Sequence, residues 1–85
     1  MAVFQFPAEL TVYQAAEVQQ GLLRALDEGA PQTLDLSGVT EIDTAGLQLL
    51  LLAKREAARR GLAFSFVNAS APVREVLQTL AIGEL

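Results

Sequence analysis

The sequence contains neither cysteine nor histidine among its 85 residues. Disulfide bonds, thiolate nucleophiles, imidazole general bases and most zinc sites are therefore excluded as a basis for its function. Long apolar runs are also missing, because the longest uninterrupted one covers only residues 49–53. A membrane-spanning helix needs about 20 such residues, and the N-terminus has no basic stretch followed by an apolar one. We therefore expect a soluble, cytoplasmic protein without direct membrane insertion.

Basic residues are scarce, with 6 lysines and arginines against 10 aspartates and glutamates and a formal net charge of -4. A nucleic-acid-binding protein needs basic side chains to neutralise phosphates, so we expect no nucleic-acid partner. Most of the basic residues nevertheless cluster in the chain, at Lys54, Arg55, Arg59 and Arg60. Because Glu56 interrupts them, the cluster is typical of a solvent-exposed helix face.

The length and apolar content of the chain indicate one small domain over residues 1–85. The chain is 52% hydrophobic and 19% charged, and single domains usually contain about 100–150 residues. A chain this short buries only about 60–65% of its unfolded surface. An exposed apolar patch on such a domain is a candidate contact site for a partner.

Three segments have the apolar spacing and the end signals of helices. The first two are predicted at about residues 12–27 and 44–60, and the third begins after a cap at Ser70. Short β-type runs alternate with these helices, at residues 3–6, 10–11, 33–36 and 63–67. Strands that alternate with helices predict an α/β fold with a largely parallel sheet and the helices on one side.

The stretch from residue 34 to residue 52 joins a short buried strand, a tight loop and the start of the second helix. The β-type run ends in the turn residues Ser37 and Gly38. Asp43 and Thr44 then supply side-chain oxygens where a helix needs its first amide groups capped. We expect function to reside at this junction.

These residues resemble the STAS domain family (sulfate transporter and anti-sigma factor antagonist). The hallmark of that family is a Leu-Asp-Leu-Ser strand, a short loop and a helix that starts with Asp-Ser/Thr-x-Gly-Leu. Residues 34–37 and 43–47 match both parts, and the order of elements on either side also fits. The resemblance implies a stand-alone STAS-like domain, with a small mixed, largely parallel sheet of about four strands flanked by helices.

The resemblance also implies a function. It indicates a non-enzymatic protein-protein interaction module of a bacterial regulatory pathway, similar to an anti-sigma factor antagonist that takes part in partner switching. The partner would be an anti-sigma factor or another kinase-like regulatory protein. In that branch of the family the phosphorylated Ser or Thr directly precedes the Gly, and Ala45 occupies this position here. We therefore expect no phosphorylation of the usual kind.

Thr44, the residue next to Ala45, carries a hydroxyl group, and its role has three interpretations. It is a helix cap, which is the favoured interpretation, a contact with a partner, or a displaced phosphosite. It also supports an alternative function, because STAS subunits of phospholipid transporters carry Asp-Thr-Gly-Gly with Thr at this position. In that alternative the protein is a regulatory subunit bound to the ATPase of a phospholipid-transport ABC system.

The second helix has one apolar face and one outward face. At about 100° per residue its inward face comprises Gly46, Leu47, Leu50, Ala53 and Ala57. Ala45 and Leu52 point outward within about 20° of each other. We therefore predict a partner-docking surface made of Asp43, Thr44, Ala45, Gln48 and Leu52.

An enzymatic function is the least favoured hypothesis. Carboxylates are present, but no pair of base and nucleophile stands out, and so small a domain has little room for an enclosed pocket. Asp35 in the central strand is the most unusual acid, and we interpret it as a strand residue on the less covered face. The chain has no Walker-type phosphate loop, and we predict no cofactor and no metal.

Overall fold

The computed structural model describes residues 2–29 and 32–80, which form five short strands and three helices. The strands are β1 (Ala2–Gln5), β2 (Glu9–Leu10), β3 (Gln32–Asp35), β4 (Glu41–Ile42) and β5 (Phe64–Val67). The helices are α1 (Val12–Asp27), α2 (Thr44–Arg59) and α3 (Ala71–Thr79). The predicted α/β class is confirmed, and the predicted bounds of the first two helices agree with the structure to within one residue.

The helices begin where the sequence supplies caps. At the start of α1 the Oε1 atom of Gln14 accepts a hydrogen bond from the amide of Thr11 at 3.1 Å, and the hydroxyl of Thr11 accepts one from the amide of Tyr13 at 3.4 Å. This is the capping box that the spacing of Thr11 and Gln14 predicts. Ser70 is the N-cap residue of α3, as expected, but its side chain makes no capping hydrogen bond.

Every strand pairing in the described part of the chain is parallel, and the strands divide into two sheets. The larger sheet has the order β1-β3-β5, with Phe4, Leu34 and Phe66 in register across it. The smaller sheet pairs β2 with β4. The predicted number of about four strands is therefore close to the five observed in the described residues, but the strands form two sheets and not one.

The β4 strand is the element that sequence reasoning missed, since residues 38–42 were predicted as loop. Two residues are too few to show a period-2 pattern, and the partner strand β2 lies 32 residues earlier in the chain. The pairing of Leu10 with Ile42 is therefore a tertiary contact that local sequence does not signal. This pairing sets the position in space of the start of α1 relative to the start of α2.

The three helices share one apolar core with the larger sheet. Leu34 contributes from the central strand and Leu36 from directly after it, Val18 and Leu22 from α1, and Val73 from α3. The same cluster contains four leucine and alanine side chains of α2, which are Leu47, Leu49, Leu50 and Ala53. The inward face predicted for α2 is confirmed, because Gly46, Leu47, Leu50, Ala53 and Ala57 are all buried.

Candidate docking site at the start of the second helix

The two short strands β2 and β4 place the first residues of α1 and α2 side by side. Leu10 pairs with Ile42 in the parallel register, and one residue later each strand gives way to a helix. Thr11 is the N-cap of α1 and Asp43 is the N-cap of α2. The positive ends of two helix dipoles therefore lie next to each other on one edge of the molecule.

The carboxylate of Asp43 joins the two helix starts. Its Oδ1 atom accepts a hydrogen bond from the amide of Gly46 at 2.9 Å, which caps α2, and its Oδ2 atom accepts one from the amide of Val12 at 3.0 Å, at the first residue of α1. These amide hydrogen bonds, with that from Gly46 the strongest, hold the pKa of Asp43 below its usual range. The interpretation of Asp43 as a capping and bracing carboxylate is confirmed.

Gly46 allows α2 to begin directly against the backbone of β2. A Cβ atom built on Gly46 would lie 2.1 Å from the carbonyl oxygen of Leu10. Real Cβ atoms do not approach an oxygen that closely, so any larger residue must push the helix away from the strand. The Gly of the Asp-Thr-x-Gly pattern is thus explained by a close approach of two backbones.

The predicted docking residues run from the N-cap of α2 into its third turn. Thr44 and Gln48 are exposed, Ala45 is half-buried, and Leu52 is 52% exposed. The interpretation of Thr44 as the helix cap is wrong, because Asp43 is the cap and Thr44 is the first helical residue. Thr44 is therefore an exposed helical residue directly after the capping Asp43.

Val12 and Tyr13 at the start of α1 are two exposed apolar residues that sequence reasoning did not assign to the site. They are 60% and 90% exposed, and Val12 is joined to Asp43 by the hydrogen bond described above. A helical projection would have found Tyr13, which lies about 160° from Ala15 on the inward stripe of α1. No local signal could have shown that the start of α1 lies beside the start of α2.

Asp35 and the basic cluster have structural partners. The Oδ1 atom of Asp35 accepts a hydrogen bond from the amide of Ser37 at 2.9 Å, and hydrogen bonds from Ser37 lower the pKa of this carboxyl. Asp35 therefore braces the turn after β3. In the basic cluster, Arg59 and Arg60 both pair with Glu56, and their hydrogen bonds lower the pKa of Glu56 to about 2.

A family model described as "Mlab, STAS domain" matches residues 7–85 of the chain. Because the match covers most of the chain, the protein belongs to the STAS domain family. The matched range begins before β2 and includes both helix starts and the Asp43 cap. No curated protein matches the chain.

Within residues 2–29 and 32–80, no helix combines the length and the apolar content needed to cross a bilayer.

Proposed function

We propose that this STAS domain acts in the cytoplasm as a non-enzymatic docking module of a bacterial regulatory pathway, similar to an anti-sigma factor antagonist. The partner binds what we name the helix-start surface, which consists of Val12, Tyr13, Asp43, Thr44, Ala45, Gln48 and Leu52. The single observation that carries the proposal is the bridge from Asp43 to Val12. It joins the two helix starts, and the exposed side chains of Tyr13 at the start of α1 and Leu52 farther along α2 belong to the same two helices.

The composition of this surface suits a protein partner. Tyr and other large apolar side chains contribute most to binding when a partner removes them from water, and small polar residues around them complete the contact. Tyr13 and Leu52 supply such side chains, while Thr44 and Gln48 supply exposed polar groups. A surface that is already rigid loses little conformational entropy on binding.

The partner in this proposal is an anti-sigma factor or another kinase-like regulatory protein. Ala45 stands at the family's usual phosphoacceptor position, and its methyl group cannot receive a phosphate. Binding would then be controlled by something other than phosphorylation of this residue, such as the amount or the state of the partner. Thr44 is the residue next to it and carries the one serine or threonine hydroxyl of this surface, so it is the candidate phosphosite.

A second candidate function is that of a regulatory subunit bound to the ATPase of a phospholipid-transport ABC system. The observation that favours it is the exposed position of Thr44 at the start of α2, together with the absent hydroxyl at Ala45. This candidate uses the same helix-start surface but a different partner. A binding experiment with the purified chain distinguishes the two candidate functions. The partner to test is the kinase-like protein or the ABC ATPase that is encoded beside its gene.

The test measures two quantities for each variant, which are its affinity for that neighbouring gene product and its free energy of unfolding. Ala45→Glu places an unpaired charge in the contact and should abolish binding, and Leu52→Ala should weaken it through lost apolar burial. Leu80→Ala is the matched control, because Leu80 is similarly exposed but lies at the end of α3. Calorimetry measures affinity and chemical denaturation measures stability for each variant. Unchanged affinity in both test variants would show that the partner binds elsewhere.

A further inference from the structure

A groove of about 150 Å³ runs between α1 and α2, beyond the helix-start surface. Its apolar lining consists of Leu22, Leu23, Leu26, Leu49, Leu52 and Ala53. Four of these side chains are buried and form the floor, whereas Leu23 and Leu52 are 36% and 52% exposed and form the walls. The groove therefore presents leucine side chains to solvent directly above the core.

Side-chain contacts join α1 and α2 at both ends of the groove. At their starts the Asp43 carboxylate accepts the amide hydrogen bond of Val12. At their ends the Nη1 atom of Arg60 lies 2.5 Å from the Oδ1 atom of Asp27. Both helices contain 16 residues, so the two ties enclose the whole groove. A preformed groove binds more tightly than one that a ligand must open.

The rim of the groove carries one unpaired charge among the described residues, and that charge is positive. The polar lining residues are Gln19, Arg55 and Glu56. Glu56 already pairs with Arg59 and Arg60, whereas Arg55 makes no ion pair with any residue that the structure describes. The net charge of the chain is -4, but charges beyond about 8–10 Å are screened at physiological salt, so the charges that line the groove act most strongly on a ligand in it.

We infer that this groove binds an amphipathic helix of a partner protein, which inserts one leucine or phenylalanine side chain and presents a carboxylate to Arg55. The volume suits a single side chain, because a cavity of about 150 Å³ accommodates one benzene ring. Leu52 and Arg55 are three residues apart, so the apolar contact and the ion pair fall within one turn of the bound helix. This inference rests on the proposed docking function and extends it to a second surface, which shares Leu52 with the first.

The charge of the rim argues against a second copy of the chain as the occupant. A twofold interface through this groove would bring the same surface of two copies together. The unpaired Arg55 of each copy would then approach a rim of its own sign, which disfavours association. An acidic helix from another protein meets no such repulsion.

The test uses two synthetic peptides of about 18 residues, long enough to form a helix in the groove. Both carry leucines at every third or fourth position. One peptide has glutamates on either side of the leucine stripe, and the matched peptide has lysines at the same positions. Fluorescence anisotropy measures the affinity of each for the full chain, and methyl chemical shifts of Leu23 and Leu77 locate the bound peptide.

The inference predicts that the acidic peptide binds at least about tenfold more tightly than the basic one. Arg55→Glu should reverse this preference, and Leu23→Ser should weaken both peptides. Lys54→Glu is the matched control, because it makes the same charge change at the neighbouring position, which does not line the groove. It should change the affinities by less than about twofold. The methyl shifts should move at Leu23 and stay constant at Leu77 in α3.

Several results would overturn the inference. They are an absence of binding, equal affinity for both peptides, an equal effect of Lys54→Glu and Arg55→Glu, or shifts confined to Leu77. Dimerisation of the free chain that Leu23→Ser abolishes would identify a second copy as the occupant instead. Displacement of the acidic peptide by a fatty acid would identify a small-molecule site, if Arg55→Glu weakens the affinity for the fatty acid more than that for the peptide.

The failure of this inference is distinguishable from failure of the proposed function. Ala45→Glu changes only the helix-start surface, and Arg55→Glu changes only the groove. If the neighbouring gene product responds to Ala45→Glu but not to Arg55→Glu, the proposed function stands and the groove is not used. A response to Arg55→Glu but not to Ala45→Glu would show that the partner binds the groove and not the helix-start surface.

Discussion

Asp43 accepts a hydrogen bond from the amide of Val12, 31 residues earlier in the chain, while it also caps its own helix through the amide of Gly46. One carboxylate thus satisfies amide groups at the starts of two helices, which otherwise lack intrahelical partners. The arrangement depends on the parallel pairing of β2 with β4, which brings the two starts together. The stability of this edge and the shape of the helix-start surface therefore depend on the same side chain.

Replacement of Asp43 by alanine should loosen both helix starts at once. Hydrogen exchange should become faster at the amides of Val12 and Gly46, because both lose their acceptor. Amides in α3 should keep their protection. Asp35→Ala is the control, because it removes a carboxylate that bonds to Ser37 and Asn68 and to neither helix start. Faster exchange at Gly46 alone would show that the contact with Val12 does not persist in solution.

Replacement of Gly46 by alanine should destabilise the protein by about 3 kcal/mol or more, because the added methyl group overlaps the carbonyl of Leu10. Gly38→Ala is the matched control, since a Cβ atom on Gly38 meets no atom within 4 Å. Chemical denaturation of the two variants measures the difference in the free energy of unfolding. A similar small effect in both would mean that α2 does not press against β2 as closely as described.

Replacement of Leu47 by alanine should cost about 2–4 kcal/mol, because it removes buried methyl groups where α2 meets the core. The same substitution at Leu52 should cost less than about 0.5 kcal/mol, because this side chain is half exposed. Denaturant titration of both variants checks the prediction. A loss under about 0.5 kcal/mol for Leu47→Ala would contradict the assignment of the inward face.

Acidification should destabilise the protein through three carboxylates. The pKa values of Asp35 and Asp43 lie below their ordinary value of 3.8, and that of Glu56 falls from 4.5 to about 2. The folded state therefore binds fewer protons than the unfolded state in acid, so the stabilisation is present above about pH 4.5 and is lost as pH falls toward 2. Thermal melts across this range measure the loss. Asp43→Asn should reduce the slope, and an unchanged slope would contradict the role of Asp43.

Incubation with a serine kinase of the anti-sigma type should give little or no phosphoprotein, because Ala45 occupies the usual acceptor position. Intact-mass analysis measures the phosphate content. The variant Ala45→Ser is the positive control, since it restores the hydroxyl at that position. Stoichiometric phosphate on the natural chain would contradict the prediction, and its location on Thr44 would identify a displaced phosphosite.

The amino-acid sequence alone determined the features that depend on near neighbours in the chain. Apolar residues three and four apart defined the buried faces of α1 and α2, and Thr11 with Gln14 defined a helix start. The same periodicity placed Leu52 outward, whereas Ala45, also predicted outward, is half-buried. The Asp-Thr-x-Gly pattern indicated the family. These signals are readable because helical geometry relates residues within a few positions of one another.

Only the tertiary structure decided how these elements meet. The pairing of β2 with β4 and the approach of Gly46 to Leu10 join segments more than 30 residues apart, so their existence depends on the packing of the whole chain. The assignment of Thr44 as a cap failed for a local reason, because Asp43 offered the better-placed oxygen one residue earlier. The groove between α1 and α2 has no sequence signature at all, since each wall is contributed by a different helix and side-chain contacts join the two helices at both ends.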